Sequence, residues 1–265
     1  MQKLEQVLRN SSRAGGTTAR EMTDTLETTT PCPYKTCDGS GVVMIDAWTF
    51  KECQCESDRR ERLNVQRLFA DLHVPKRYQG KTLQNFDPAL LKGRAYDMAV
   101  RYVERFDEIR HESTNGLAFI GPPGTGKTHL AYAILSALLP KVRSAICGSV
   151  PDLMEMLRPK NDKELGEQRL AALKTSELVV LDDLGAERES TWVTERLFMI
   201  LNSRYNEQLP TILTSNVELR ILEQIPGWAR VGSRITEMCH AVLCDGADQR
   251  KAQKIKTKAK PGKDD

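Results

Sequence analysis

A glycine-rich segment in the middle of the sequence has residue types that could bind phosphate. Residues 121–128 read Gly-Pro-Pro-Gly-Thr-Gly-Lys-Thr and satisfy the pattern G-x-x-x-x-G-K-[ST] between a predicted strand and a predicted helix. Its glycines let backbone N–H groups turn toward phosphate, Lys127 could reach the β- and γ-phosphates, and Thr128 offers a hydroxyl to Mg²⁺. A tight turn without a ligand is the alternative. The residues predicted to bind the nucleotide are Gly121, Pro122, Pro123, Gly124, Thr125, Gly126, Lys127, Thr128 and His129.

Two acidic residues follow a second apolar run at 178–181. An enzyme with a phosphate-binding loop needs an acid at the end of a neighbouring strand to hold Mg²⁺, so Asp182 and Thr128 form the predicted magnesium site. Asp183 is then placed to orient or deprotonate the attacking water. A solvated Asp-Asp turn is the alternative.

A third apolar run, at 210–213, ends in Thr214, Ser215 and Asn216. In a parallel sheet these polar side chains would lie beside the strand that carries Asp182, and they could contact the γ-phosphate or its water. A helix cap is the alternative. We take Asn216 as the candidate catalytic residue of this strand end.

A cluster of thiols lies near the N-terminus. Four of the seven cysteines, Cys32, Cys37, Cys53 and Cys55, fall within 24 residues, which favours one tetrahedral zinc ion with four thiolate ligands. The spacing departs from paired C-x₂-C motifs, and reduced thiols or a redox pair are the alternatives. Residues 31–56 are expected to form a hairpin, with strands at 42–45 and 47–50, that is too small to fold by burial alone. The other three cysteines, Cys147, Cys239 and Cys244, are predicted to be core residues.

Composition sets the wider class of the protein. The chain has 265 residues, of which 40% are hydrophobic and 28% charged, which excludes disordered, collagen-like and membrane-embedded classes. The N-terminus lacks a secretory signal, so we expect a cytoplasmic protein without a membrane partner. The net charge of +3 comes from the tail, since residues 251–265 hold six Lys against two Asp. That tail could contact DNA phosphates or could be a solvated terminus.

The elements that must position these residues alternate between strands and helices. Strands are predicted at 116–120, 144–150, 178–181, 211–214 and 241–244. Helices are predicted at 57–73, 88–108, from the glycine-rich loop to 139, and at 151–174, 191–206 and 228–238. The alternation predicts an α/β fold with a parallel sheet covered on both faces.

The motifs together resemble the AAA+ ATPases that load replicative helicases, the DnaC and DnaI type. The similarity covers about residues 75–250 and implies a P-loop AAA+ three-layer αβα domain, preceded here by the small cysteine-rich module. It rests on the segments 74–78, 82–87, 121–131, 181–187 and 214–216, and on the ending formed by 233–235 and 246–250.

The resemblance also implies roles for individual residues. Arg230 is the reserve candidate for the arginine finger. The implied roles are Walker A for Lys127 and Thr128, Walker B for Asp182 and Asp183, sensor 1 for Asn216, the arginine finger for Arg234 and sensor 2 for Arg250.

The expected organisation follows from these assignments. Residues 1–30 are expected to be a flexible leader and 251–265 a basic disordered tail. Residues 31–73 would comprise the cysteine-rich module and a linker helix that dock onto the helicase, and 74–250 the ATPase domain.

The resemblance implies an ATP-dependent loader that places a hexameric replicative helicase on single-stranded DNA during replication initiation. Its cofactors would be ATP, Mg²⁺ and one Zn²⁺, and it would form a homo-oligomeric ring or spiral when ATP is bound. The alternatives are an IstB-type helper ATPase of DNA transposition and an ATP-binding adaptor without turnover.

Overall fold

The computed structural model describes residues 31–46, 48–69, 74–158, 162–185, 191–246 and 248. They divide into two compact units, of which the first ends at Arg59 and the second begins at Arg60. The predicted leader, the predicted basic tail and Arg250 lie outside the described residues.

The smaller unit contains an antiparallel hairpin of two strands, β1 (Val42–Met44) and β2 (Phe50–Glu52). The second strand begins three residues later than predicted. The reason is a turn in which the Asp46 carboxylate accepts hydrogen bonds from the backbone N–H groups of Trp48 and Thr49. Such a side-chain acceptor satisfies backbone donors that a strand would otherwise use, so the turn takes up this part of the chain.

The remaining elements alternate as the sequence predicts. The helices are α1 (Gln54–Leu68), α2 (Ala95–Glu104), α3 (Phe106–Ile109), α4 (Lys127–Leu138), α5 (Val150–Met156), α6 (Lys163–Thr175), α7 (Thr191–Asn206), α8 (Leu219–Gln224) and α9 (Ala229–Met238). The strands are β3 (Leu91–Lys92), β4 (Gly116–Ile120), β5 (Ala145–Ser149), β6 (Leu178–Leu184), β7 (Thr211–Ser215), β8 (Cys239–Leu243) and β9 (Asp245–Gly246). Within the described part of the chain, no helix is both long and apolar enough to cross a membrane.

Five of these strands form one parallel sheet in the order β5-β6-β7-β4-β8. The register sets Ile120 at the end of β4 opposite Ser215 at the end of β7. It sets Asp182 in β6 opposite Ser149 at the end of β5. The carboxyl ends of the strands therefore meet at one edge of the sheet, where parallel α/β sheets bind ligands.

Alternate strand residues pack on opposite faces of this sheet. Ala118 and Ile120 join a core covered by α5, α6, α7 and α9, whereas Leu117 and Phe119 join a core covered by α2, α3 and α4. The prediction of an αβα sandwich is thus confirmed.

The helix predicted over 88–108 is wrong in its first part. A 3₁₀ turn occupies Pro88–Leu90, and the next two residues form β3, which pairs antiparallel with β9. Gly93 then takes a left-handed φ of 95° before α2 begins. The strand pairing joins two segments that are distant in the sequence, and no local helical pattern can reveal it.

A fully buried arginine connects the end of α6 to the start of β7. Arg204 is 0% exposed, and its guanidinium donates to the Thr211 hydroxyl and to the carbonyls of Leu173, Ser176 and Pro210 at 2.6 to 3.1 Å. Burial lowers its pKa to about 9. Because three of its four acceptors are main-chain carbonyls, it satisfies backbone groups where α6 ends and β7 begins.

We expect Arg204→Leu to lower the free energy of unfolding by about 3 kcal/mol or more, because it leaves several buried acceptors without a donor. Denaturant unfolding of the full chain measures this. The matched control is Arg105→Leu, because the Arg105 side chain is 61% exposed and forms a surface ion pair with Glu108; its effect should stay within about 0.5 kcal/mol. Equal midpoints for the two variants would contradict the role of Arg204.

Candidate nucleotide-binding and metal sites

The glycine-rich loop connects β4 to α4 in the conformation that its glycines allow. Gly124 and Gly126 have φ values of 83° and 96°, in the left-handed region that other residues rarely adopt. A Cβ built on Gly124 would also collide with the carboxylate of Asp248. The loop thus leads directly into α4, whose first N–H groups have no acceptor within the helix and are suited to bind an anion.

Lys127, the first residue of α4, is almost fully buried. Its ammonium donates to the carbonyls of Gly121 and Pro122 at 2.7 and 2.8 Å, and to Asn216 Oδ1 at 2.8 Å. The lysine therefore lies between the glycine-rich loop and the residue that follows β7.

The predicted magnesium ligands lie in contact with each other. Asp182 Oδ1 accepts hydrogen bonds from the hydroxyls of Thr128 at 2.9 Å and Thr214 at 2.6 Å. Burial raises the pKa of Asp182, and these two hydrogen bonds oppose the shift. A carboxylate beside a hydroxyl offers the hard oxygen ligands that Mg²⁺ prefers, so these two residues fit that ion.

The second acid contacts Asn216. Asp183 is exposed, and its Oδ1 accepts a hydrogen bond of 2.7 Å from Asn216 Nδ2. Asn216 therefore contacts Lys127 through its oxygen and Asp183 through its nitrogen. The fold has brought together five residues that the sequence singled out on three separate segments.

These side chains surround a pocket of about 370 Å³ at the carboxyl edge of the sheet. The lining residues are Arg77, Tyr78, Lys81, Pro123, Gly124, Gly126, Lys127, Thr128, His129, Asp182, Asp183, Thr214 and Asn216.

Sequence reasoning did not assign Arg77, Tyr78 and Lys81 to the pocket. The ring of Tyr78 stacks on that of Tyr132 with centroids 5.2 Å apart, and the Arg77 guanidinium lies 5.2 Å from the Tyr78 ring. The signal for Arg77 and Tyr78 was the basic and aromatic segment at 74–78, which entered only as part of the resemblance, and Lys81 lies outside that segment.

His129 lines the pocket, as the sequence suggested, but its imidazole is engaged elsewhere. Its Nε2 lies 3.1 Å from the Thr82 carbonyl oxygen and 3.0 Å from Asn85 Oδ1, and desolvation lowers its pKa. With two oxygen acceptors, the ring nitrogen is a donor that holds the segment around 82–85 against α4.

Neither arginine-finger candidate is among the described residues that line this pocket. The Arg234 guanidinium lies 4.5 Å from the Tyr205 ring and donates to Asn202 and Glu237. Arg230 lies 3.7 Å from the Phe198 ring.

The sequence model of the IstB-like ATP binding proteins matches residues 53–257. The chain belongs to this family. YqaM of Bacillus subtilis, an uncharacterized protein, is 34% identical over 195 residues, which cover 70% of this chain and 60% of YqaM. This chain therefore matches less than two thirds of the length of YqaM.

Two further comparisons relate this IstB-like protein to helicase loaders. The replicative helicase loader DnaC of Escherichia coli K12 is 29% identical over 189 residues, which cover 68% of this chain and 75% of DnaC. A crystal structure of the DnaC helicase loader superposes with a TM-score of 0.55 and 32% identity, over 64% of this chain and 99% of that one. The resemblance drawn from the motifs is confirmed.

The family match begins at Cys53, so Cys32 and Cys37 lie outside it. The structure nevertheless brings all four predicted ligands of the IstB-like protein together, with their sulfur atoms within 4.8 Å of one another. Cys32 and Cys53 lie 3.7 Å apart, and Cys37 and Cys55 lie 3.5 Å apart. Four sulfurs at 2.3 Å from a tetrahedral zinc are about 3.8 Å from each other, so the cluster fits zinc.

Nearby donors favour the thiolate form of two of the four cysteines, Cys32 and Cys53. Desolvation raises the pKa of Cys32, but hydrogen bonds from the backbone of Cys37 and Thr36 outweigh it and lower that pKa to about 5. The Thr36 hydroxyl also lies 2.9 Å from Cys53 Sγ. Desolvation and the neighbouring thiols raise the pKa of Cys55. Zinc ligands must be deprotonated, so the contacts at Cys32 and Cys53 favour a metal and the surroundings of Cys55 oppose it in the metal-free protein.

The other three cysteines belong to the sheet region. Cys239 and Cys244 are buried in the two cores, and Cys147 packs against one of them. Burial raises the pKa values of Cys147 and Cys244 to about 12, as expected for core thiols without reactive character.

We expect the purified full chain to contain about one zinc per molecule, because a four-thiolate cluster of this geometry binds the ion tightly. Replacing Cys53 and Cys55 by Ser should remove it, whereas the control Cys147→Ala should retain it. Elemental analysis by mass spectrometry gives the stoichiometry. A zinc-free protein with four titratable thiols would contradict the metal site.

Proposed function

We propose that this IstB-like protein is an ATPase that converts ATP and water to ADP and phosphate in the pocket described above. The observation that carries the proposal is the continuous contact of Lys127, Asn216 and Asp183 beside the pair of Thr128 and Asp182. A loop that served only as a tight turn would not need the Lys127 ammonium, two carboxylates and the Asn216 amide around one open pocket.

Each residue has a distinct part in this proposal. Phosphate oxygens of ATP would replace the carbonyls of Gly121 and Pro122 as acceptors for Lys127. Asp183 would orient the attacking water and accept its proton as the bond to the leaving ADP breaks. Thr128 and Asp182 would hold Mg²⁺, which neutralises phosphate charge.

Asn216 would connect phosphate binding to the acid. Its amide touches both Lys127 and Asp183, so a γ-phosphate that draws either group alters the position of the other. This supports the sensor role implied by the resemblance.

A complete active site would require a second copy of the chain. Arg234 is partly exposed on α9 and forms an ion pair with Glu237. In a ring or spiral it would reach the γ-phosphate bound by a neighbouring copy. Arg230 is the reserve candidate for this role, and Arg250 would take the sensor 2 role.

We further infer that the ATPase loads a hexameric replicative helicase onto single-stranded DNA. The likeness to the DnaC helicase loader supports this partner. The cysteine hairpin supports a docking role for residues 31–73, since its apolar side chains are exposed, up to 91% at Trp48. The exposed hairpin residues are Val42, Met44, Ile45, Trp48 and Phe50.

A helper ATPase of transposition is the second candidate. The matching family is named after IstB, and the same pocket would serve either activity. The two candidates differ in the protein that the chain binds.

We expect Lys127→Ala to weaken ATP binding by about 30-fold or more, because it removes a charged hydrogen-bond donor. Asp183→Asn should bind ATP normally but hydrolyse it about 100-fold more slowly, because the base is lost. Nucleotide titration and phosphate release measure the two effects.

The controls are Lys141→Ala and Asp107→Asn, which remove the two partners of a surface salt bridge. Both should behave as the wild type. Unchanged affinity in Lys127→Ala or unchanged turnover in Asp183→Asn would refute the assigned role.

For the partner, we expect the purified protein to form a complex with the replicative helicase of its host and to increase helicase loading on single-stranded DNA. Trp48→Ala with Phe50→Ala should weaken that complex about tenfold or more, because exposed aromatic anchors dominate interfaces. ATP hydrolysis should not change. The matched control is Leu139→Ala, an apolar residue exposed in the larger unit. A complex with a transposase and none with the helicase would favour the second candidate.

A further inference from the structure

Two neighbouring residues of one strand both reach the pocket. In a regular strand, successive side chains point to opposite faces of the sheet. Asp182 and Asp183 are consecutive in β6, yet both line the pocket. The strand must therefore depart from regular geometry at this point.

The departure is a bulge in the pairing of β6 with β7. Leu181 lies opposite Leu213, and the next aligned pair is Leu184 with Ser215. Three steps along β6 thus match two along β7, which is the register of a β-bulge. Asp183 has a φ of 59°, a left-handed conformation that is uncommon for a residue with a side chain.

Thr214 lies on β7 between the two aligned pairs and contacts both acids. Its hydroxyl oxygen accepts a 2.9 Å hydrogen bond from the backbone N–H of Asp183 and donates a 2.6 Å hydrogen bond to Asp182 Oδ1. The residue is 1% exposed. A side-chain hydroxyl thus replaces the backbone acceptor that a regular ladder would supply.

The next residue closes the bulge on its other side. The Ser215 hydroxyl contacts the carbonyls of Leu184 and Val217 and accepts from the N–H of Val217. β6 is therefore held where the bulge ends as well as where it begins.

We propose, resting on the ATPase function above, that Thr214 is a positioning residue whose hydroxyl holds this bulge and directs Asp182 toward Thr128 and Asp183 toward Asn216. The hydroxyl of Thr214 has one proton, and it donates that proton to Asp182. Thr214 therefore orients the two acids. This replaces the expectation from the sequence that Thr214 contacts the γ-phosphate or its water.

Loss of the hydroxyl has two consequences at once. The N–H of Asp183 loses its acceptor, so the left-handed conformation is no longer held and Asp183 moves from Asn216. Asp182 keeps only the hydrogen bond from Thr128 among the contacts described above. The carboxylates of Asp182 and Asp183 then lose their orientation, although the glycine-rich loop and Lys127 are unchanged.

Three variants of the full chain test this role. Thr214→Val preserves shape and removes the hydroxyl, and Thr214→Ser preserves the hydroxyl. Thr211→Val is the matched control, because Thr211 is a buried threonine of the same strand whose hydroxyl contacts Arg204 and Leu209. The measurements are kcat for ATP, the affinity for ATP without Mg²⁺, and the hydrogen exchange rate of the Asp183 amide.

In Thr214→Val we expect kcat to fall by about 30-fold or more and the Asp183 amide to exchange about tenfold faster or more. Affinity for Mg²⁺-free ATP should stay within about threefold, because the loop binds the phosphates. Thr214→Ser should restore all three values to within about threefold. Thr211→Val should lower the melting temperature without changing kcat or the exchange of Asp183.

The outcomes separate this role from the ATPase function itself. Wild-type turnover and exchange in Thr214→Val, or a loss in Thr214→Ser as large as in Thr214→Val, would overturn it. If the wild type does not hydrolyse ATP, the ATPase proposal fails, and the exchange of the Asp183 amide still decides whether Thr214 holds the bulge. If Thr214→Val does not fold, an unprotected Asp183 amide in the wild type or a large loss of kcat in Thr214→Ser overturns the role.

Discussion

The parallel order of β6, β7 and β4 is the constraint on which the candidate ATP site depends. Side-by-side parallel strands end at the same edge, so the acids of β6, the polar end of β7 and the glycine-rich loop after β4 meet there. Two apolar cores hold the sheet from both faces and fix this alignment. The chemistry of the pocket is thus built by strand order, and no single segment could assemble it.

Within that frame, polar contacts set the directions of the side chains. Thr214 and Asn216 follow each other at the end of β7 with one residue between them, and each contacts an acid of β6. Lys127 joins the same network through Asn216. The network therefore connects Lys127 to Asp183 through Asn216, as the proposed nucleotide-dependent action would require.

The smaller unit needs a different source of stability from the sheet domain. It has two three-residue strands and exposes most of its large apolar side chains, so burial contributes little to its stability. Four clustered sulfurs provide the alternative, since a structural metal can supply on the order of 10 kcal/mol of folding energy. A module stabilised by metal can leave its apolar surface available for a partner, which suits the docking role proposed for it.

The sequence by itself determined the residues of the chemistry and the alternation of elements around them: the loop with Lys127, the acid pair, Asn216 and the four thiols. These signals are local, because each lies within a short stretch of the sequence, the longest being the 24 residues that hold the four thiols. The tertiary structure alone decided the features that depend on distant pairing. The β3–β9 ladder interrupts the expected helix, Arg204 satisfies acceptors at the end of α6 and at the start of β7, and Tyr78 lines the pocket while stacking on α4. The bulge at Asp183 also depends on distant pairing. The hydroxyl of Thr214, on the neighbouring strand, accepts the hydrogen bond from the Asp183 N–H that a backbone carbonyl would accept in a regular ladder.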